Sequence, residues 1–339
     1  MSARHLTLRT ANKTINQKQF YETFTDRNLG ILTPEQQKII SGTRVAQAGL
    51  GGNSDVLLTM AQLGFQHFTI ADPDTYELSN LNRQMGAGVS LIGRKKASLI
   101  RDLLSEINPW TEVKVFPEGV TNENIDSFLD NAQVLIEAID VQSALIKNIL
   151  IDSALAKRIP VFTSPSPGWG AVLLFFDPEA SPSMTELIGP PPSERFTGYT
   201  HDDLGFRWGL YFARMQYMFQ LPENGIPEGV PPEFYASRTS IPCISPACRL
   251  RAALIPSSVL KLLFHNDKLL HAPSVVRYDL FSNTVLVVNR TLQEYKCGLE
   301  RAEQVFIEKC KPLFYDPKWQ KPVQQGPKLE AHANRSTRV

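Results

Sequence analysis

An apolar run, RVAQA, ends in the glycine turn GLGGN, and an apolar helical pattern, SDVLLTMAQL, begins at once. Strand, tight turn and helix in that order make a βα unit whose helix packs back over its own sheet. The helix's first amides then point out of the turn and carry partial positive charge, which suits an anion. Gly49 and Gly51 supply the tight turn and the close backbone approach that a phosphate needs. Glycines also end strands where nothing binds, so the turn alone leaves a purely structural role open.

The alternation continues down the chain. HFTIADPD (67–74) reads as a second strand ending in two acids. GRKKASLIRDLLSEINP (93–109) reads as a helix stopped by Pro109, and VKVF as a third strand. AQVLIEAID (132–140) is so apolar that a central, parallel strand is expected. A helix at about 142–157 and strands at IPVFTS and AVLLFFDP follow. The expected fold class is α/β: a doubly wound, mostly parallel, Rossmann-like sheet over 43–178, with a smaller C-terminal helix and strand extension.

Residues 1–42 read as an N-terminal arm and a helix at 32–42, capped by Thr33 with Gln36 completing a capping box. Residues 179–315 read as a crossover or interaction region. DDLGFRWGLYFARMQYMFQL is aromatic-rich and amphipathic, 249–265 is helical, and VVRYDLFSNTVLVVNRTL holds two late strands. From 316 to 339 the chain is polar and aperiodic, the pattern of a disordered tail.

Charge and cysteine usage narrow the function classes. The chain has 339 residues with 35 basic and 34 acidic side chains, a net charge of +1, which does not fit an electrostatic nucleic-acid binder. No apolar run approaches the roughly 20 residues a spanning helix needs. The polar N-terminus lacks a signal peptide's apolar stretch, so a cytoplasmic protein is expected. Cys243, Cys248, Cys297 and Cys310 are then expected to be reduced. The CxxxxC spacing of the first two and the wide interval between the others make poor zinc geometry, so no structural zinc is expected.

The chemistry is carried by polar residues at the strand ends. Asp72 stands about 20 residues past the turn, where an acid accepts hydrogen bonds from ribose hydroxyls. A cap or turn former is the alternative for it. NAD and ATP suit these two features equally. The next stretch, DPDTYELSNLNRQ, separates them by adding Asp74, Asn80, Asn82, Arg83 and Gln84, with Lys96 on the following helix. A hydride carrier needs no such cluster, whereas a triphosphate does, because its charge is stabilised by Arg forks and Lys ammonium groups. Asp140 ends the fourth strand, and a carboxylate facing a triphosphate there commonly holds magnesium.

In this order and spacing, GLGGNSDVLLTMAQLGFQHFTIADPDTYELSNLNRQ, IGRKKA, INP and IEAID resemble the ThiF/MoeB/HesA family, the relatives of ubiquitin-activating enzymes. The resemblance covers about residues 20–178, and SIPCISPACRLRAALIPSSVLKLL is similar, more loosely, to the family's second conserved segment. It implies an ATP-dependent adenylyltransferase. Mg-ATP would activate the C-terminal carboxylate of a small ubiquitin-like or sulfur-carrier protein, or of a peptide, with release of pyrophosphate. Gly49, Gly51 and Gly52 would form the nucleotide loop and Asp72 would hold the ribose, with Asp74 and Asn82 in the same cofactor-binding set. Asn80, Arg83 and Lys96 would contact phosphates, and Asp140 would bind Mg2+.

The family resemblance also implies a homodimer in which Arg27, in TDRNLGILTPEQQ, enters the partner's site. Cys243 and Cys248 would be candidate acceptor thiols, with buried structural cysteine as the alternative. The carboxylate attacks the α-phosphorus in line and is already ionised at neutral pH, so no general base is required. The cations serve to offset repulsion between two anions.

Two residues depart from the family loop. Ser54 stands at its sixth position, where a glycine is usual, and Asp55 follows. An acid there suits the helix dipole. Aimed at the phosphates it would repel them, by roughly 4 kcal/mol for charges about 4 Å apart at an effective dielectric near 20. A catalytically degenerate scaffold that binds a partner protein is therefore the alternative reading. A NAD-dependent dehydrogenase is a remote one, which SNLNRQ argues against. Phe206, Trp208, Tyr211 and Phe212 suit either a peptide groove or a core or dimer interface. The apolar stretches 206–220 and 252–264 could supply that interface.

Overall fold

The structure, a computed structural model, describes residues 8–10, 13–140, 143–166, 168–194, 203–219 and 243–314. A short hairpin, β1 (Leu8–Thr10) and β2 (Lys13–Ile15), comes first. The main sheet follows: β3 (Arg44–Ala48), β4 (His67–Ala71), β5 (Glu112–Phe116), β6 (Val134–Glu137), β7 (Val161–Thr163), β8 (Gly170–Phe176), β9 (Val275–Asp279) and β10 (Thr284–Val288). Its spatial order is β10-β9-β8-β7-β6-β3-β4-β5.

Strands β3 to β7 are parallel. The expected sixth strand of a parallel run, β8, instead pairs antiparallel with β7. The reason is the connection. Residues 164–169 are too few for the crossover that parallel neighbours require. Strands β9 and β10 continue antiparallel and extend this same sheet.

Helices cover both faces because the central strands bury both. Along β6, Val134 and Ile136 enter one core and Leu135 the other, the period-two alternation of a strand. One core takes α2 (Pro34–Gly42), α3 (Ser54–Leu63), α4 (Lys96–Ile107) and α9 (Ser245–Phe264) through Ile40, Leu57, Ile100 and Ile255. The other takes α6 (Ala144–Ala156), α7 (Met184–Ile188), α8 (Asp203–Met218) and the start of α10 (Leu292–Phe314) through Leu150, Leu187, Trp208 and Tyr295. The short α1 (Gln17–Phe24) and α5 (Ile125–Leu129) complete the helices described. The expected Thr33–Gln36 capping box opens α2, and Gly64, left-handed at φ 104°, closes α3. No helix among the described residues is long and apolar enough to cross a membrane.

Part of each stretch considered for an interface is spent inside the chain. Trp208, Tyr211, Met215 and Met218 are buried, as are Ala252, Ile255 and Val259. The aromatic face of α8 packs on α10 and α7, and the Tyr211 hydroxyl donates to Asn148 Oδ1 at 2.9 Å. Apolar side chains are exposed instead on β10, at Val285, Leu286 and Val287. The expected tail from 316, most of 200–235 and the Cys310 side chain lie outside the described residues.

The apolar strand β6 ends in a charge. Glu137 is 1% exposed, and its Oε2 accepts from Lys147 Nζ at 2.6 Å and Thr163 Oγ1 at 2.8 Å. Its Oε1 accepts the Ile139 amide at 2.7 Å. Removing one partner of a buried pair strands the other charge. Lys147→Met is expected to lower the unfolding free energy by about 3–5 kcal/mol. A Glu137→Gln/Lys147→Met double variant should recover part of that loss in urea titrations.

Candidate functional site

The chain runs from β3 outward through β4 to β5, then returns to lay β6 on the other side of β3. That reversal opens a crevice beyond the carboxyl ends of the strands. Here it is a cleft of about 860 Å³ at the ends of β3, β4, β6 and β7. The volume is in the range of small-molecule sites, roughly 300–1,000 Å³.

The glycine turn forms its floor. Gly49 is left-handed at φ +89°, and a Cβ there would lie 2.2 Å from the Ala138 carbonyl oxygen. Its amide donates to Ala71 O at 2.9 Å, and the Leu50 amide donates to Asp72 Oδ2 at 2.6 Å. Gln47, buried within β3, donates to Gly49 O and Asn53 O, both at 3.0 Å. The turn is thus pinned by its own strand and both neighbours. Gly51 leaves space open above it, where a Cβ would meet just the Gln84 amide at 3.4 Å.

The two departures from the family loop both turn away from the cleft. Ser54 is buried, and its hydroxyl donates back to Gly51 O at 3.2 Å. Asp55 points toward α9, where its Oδ2 accepts from Arg249 Nη1. Burial raises its pKa, and Arg249 pulls the other way. Neither side chain lines the cleft.

Of the expected site residues, Gly49, Gly51, Gly52, Asp72, Asp74, Asn80, Arg83, Lys96 and Asp140 all line the cleft. Asp72 is 4% exposed and accepts the Asp74 amide on Oδ1 at 2.8 Å. Burial pushes its pKa up, and the Lys96 charge opposes that. Lys96, buried at the start of α4, holds Asp74 at 3.0 Å. Arg83 donates to Ser79 O at 2.8 Å and Asn82 Oδ1 at 2.9 Å. Asp140 is exposed.

Three expected residues stand elsewhere. Asn82 is exposed outside the lining, where its Oδ1 accepts from Arg83. Arg27 is exposed on the turn after α1, away from its own chain's cleft. Cys248 is fully buried behind the glycine turn, while Cys243 reaches the lining.

Residues outside the expected site set complete the wall. Arg251 on α9 is 7% exposed and donates to Gly52 O at 2.7 Å, Ser164 O at 3.2 Å and Cys248 Sγ at 3.2 Å. In the sequence it heads the apolar run RAALIPSSVL, two residues after Arg249 and three after Cys248, and stands out as a cation near the two cysteines. Glu137 and Lys147 lie at the cleft's base. Four buried polar atoms around the cleft have no partner among the described residues: Asn53 Oδ1, Gln84 Oε1, Ser164 Oγ and Arg251 Nε.

Asp55 is 4% exposed on its side chain and Arg249 40%, so the pair is asymmetric. Arg249→Met should therefore cost about 1–3 kcal/mol by stranding the carboxylate. Adding Asp55→Asn should return most of it in denaturant unfolding, whereas two independent sites would show additive losses.

Comparison with known proteins agrees with this geometry. The ThiF family profile matches residues 25–299. An uncharacterized protein of Mycobacterium tuberculosis is 33% identical over 180 residues, 52% of this chain and 25% of that protein. The sulfur carrier protein ThiS adenylyltransferase of Escherichia coli is 26% identical over 160 residues, 47% of this chain and 62% of that protein. Both curated relatives are thus matched over less than two thirds of their length. The crystal structure of Escherichia coli MccB with ATP shares the fold, with a TM-score of 0.55 at 15% identity over 75% of this chain and 66% of that one. The family match runs from the turn after α1 into α10 and takes in every strand of the main sheet: the chain belongs to the ThiF family.

Proposed function

We propose that this cleft binds ATP and that the chain adenylates a carboxylate, releasing pyrophosphate. The observation that carries the reading is the direction of Asp55, which is neutralised against Arg249 and leaves the glycine turn open to an anion. The degenerate-scaffold alternative rested on the altered loop, Ser54 and Asp55, and neither side chain lines the cleft. Two comparisons support the choice of nucleotide and substrate: MccB was solved with ATP, and the Escherichia coli relative is a sulfur carrier protein adenylyltransferase. A peptide or small carrier protein, presenting its C-terminal carboxylate, is the substrate class.

The residues divide the work. The backbone at Gly49, Gly51 and Gly52 lies against the phosphates. Asp72 keeps lone pairs for the ribose beyond those engaged by Leu50 and Asp74. Asn80, Arg83 and Lys96 hold phosphate oxygens, with Lys96 shared between Asp74 and the ligand. Asp140, exposed at the rim, is a hard oxygen ligand suited to Mg2+. That ion would offset charge on the phosphates. The attacking carboxylate needs orientation, which rigid strand ends supply, and a positive field, which Arg83 and Lys96 supply. We further propose a homodimer in which Arg27 serves the partner's cleft.

The test is Mg-dependent ATP–pyrophosphate exchange with candidate peptide carboxylates. Asp140→Ala and Arg27→Ala should each lower exchange by about 100-fold or more. Mixing the two inactive variants should restore part of the rate, because a mixed dimer rebuilds one complete site. Undiminished exchange in Asp140→Ala would refute its role, and no recovery on mixing would refute the shared site.

A further inference from the structure

Two thiols that adenylation does not use stand against the glycine turn. Cys243 is half-buried and lines the cleft, and Cys248 is fully buried near the start of α9. Their sulfurs are 3.4 Å apart. Arg251 reaches both Cys248 Sγ, at 3.2 Å, and Gly52 O, at 2.7 Å. A Cβ on Gly52 would lie 3.0 Å from that same sulfur. Thiol pair, guanidinium and turn therefore share one packed contact.

The surroundings favour an anion on Cys248. The Cys243 thiol hydrogen-bonds to it and Arg251 attracts it, which together bring its pKa down to about 6 against the opposing effects of burial and Asp55. Asp55 is itself engaged by Arg249. The same coupling, with burial, pushes Cys243 up although Arg251 and Arg83 face it. A cation beside a thiol near a helix N-terminus favours the thiolate; Cys248 itself is buried, and the sulfur of the pair that opens on the cleft is Cys243. A disulfide needs about 2.05 Å between sulfurs, so closing the pair from 3.4 Å takes a shift of roughly 1.4 Å.

We propose that Cys243 and Cys248 form a reversible thiol–disulfide site, oxidised by hydroperoxides, on the wall of the glycine turn. The Cys248 thiolate attacks a peroxide oxygen, the O–O bond breaks, and a sulfenic acid and hydroxide form. The Cys243 sulfur then attacks Cys248 Sγ and expels the hydroxyl group, which leaves as water with the thiol proton. The two sulfurs lose two electrons in total, and the peroxide gains them. A dithiol reductant reverses the bond by exchange. The disulfide removes the anion that Arg251 holds beside Gly52.

Both cysteines fall in one tryptic peptide, Thr239–Arg249, which makes the test direct. The full chain is treated with hydrogen peroxide, its free thiols are alkylated, and its peptides are weighed. The expected product is this peptide two hydrogens lighter and unalkylated, present by the time the exposed Cys297 has lost its thiol. Dithiothreitol should restore alkylation. Cys297→Ser should leave the product unchanged, and Cys243→Ser should stop the chemistry at an oxidised Cys248. Two results would overturn the proposal: both thiols still alkylating after Cys297 has been consumed, or Cys248 passing to sulfinic acid in the native chain without a disulfide. The readout is independent of nucleotide or adenylation activity, so it stands or falls separately from the proposed function.

Discussion

At Gly49 the backbone leaving β3 passes so close to the Ala138 carbonyl that a single added carbon would sit 2.2 Å from it. Strand β6 lies against β3 here because the sheet reverses its order at this point. The turn must slip between two strand ends while taking up a left-handed conformation, and a residue without a side chain meets both demands. From that one approach follow the bond from Gly49 to Ala71 O, the bond from Leu50 to Asp72, and the start of α3 at Ser54. The cleft is what remains above them.

Around this turn, ionised groups taken out of water are each met by a partner from another element. Lys147 of α6 meets Glu137 of β6, Arg249 of α9 meets Asp55 of α3, and Lys96 of α4 meets Asp74 past β4. Desolvation makes such pairs poor sources of net stability, but breaking one is expensive, so each fixes where two elements sit. Arg251 does the same work with carbonyls, joining α9 to Gly52 and to Ser164. Helix α9 thereby becomes part of the wall of a site built by the first strands.

What was legible in the sequence was local. Helix α3 runs from Ser54 to Leu63 and stops at Gly64, as its pattern and glycine require, and α2 carries the capping box that Thr33 and Gln36 spell out. The cleft residues from Asp72 to Lys96 were found because they follow strand ends, and strand ends converge. What stayed hidden depends on distant chain. The direction of Asp55 is set by a residue 194 positions away. The aromatic face of α8 reads the same whether it meets a peptide or α10, and only packing decides. The acid ending β6 looked like the tail of an apolar strand because Lys147 belongs to the next helix.

Calorimetric titration of Mg-ATP into the full chain tests whether the Gly49 turn makes a nucleotide site that Asp55 leaves open. Saturable one-to-one binding is expected in the wild type, unchanged within a few-fold in Asp55→Asn and lost in a folded Gly49→Ala. A folded wild type that takes up no ATP, or an Asp55→Asn variant that alone binds it, would contradict the claim.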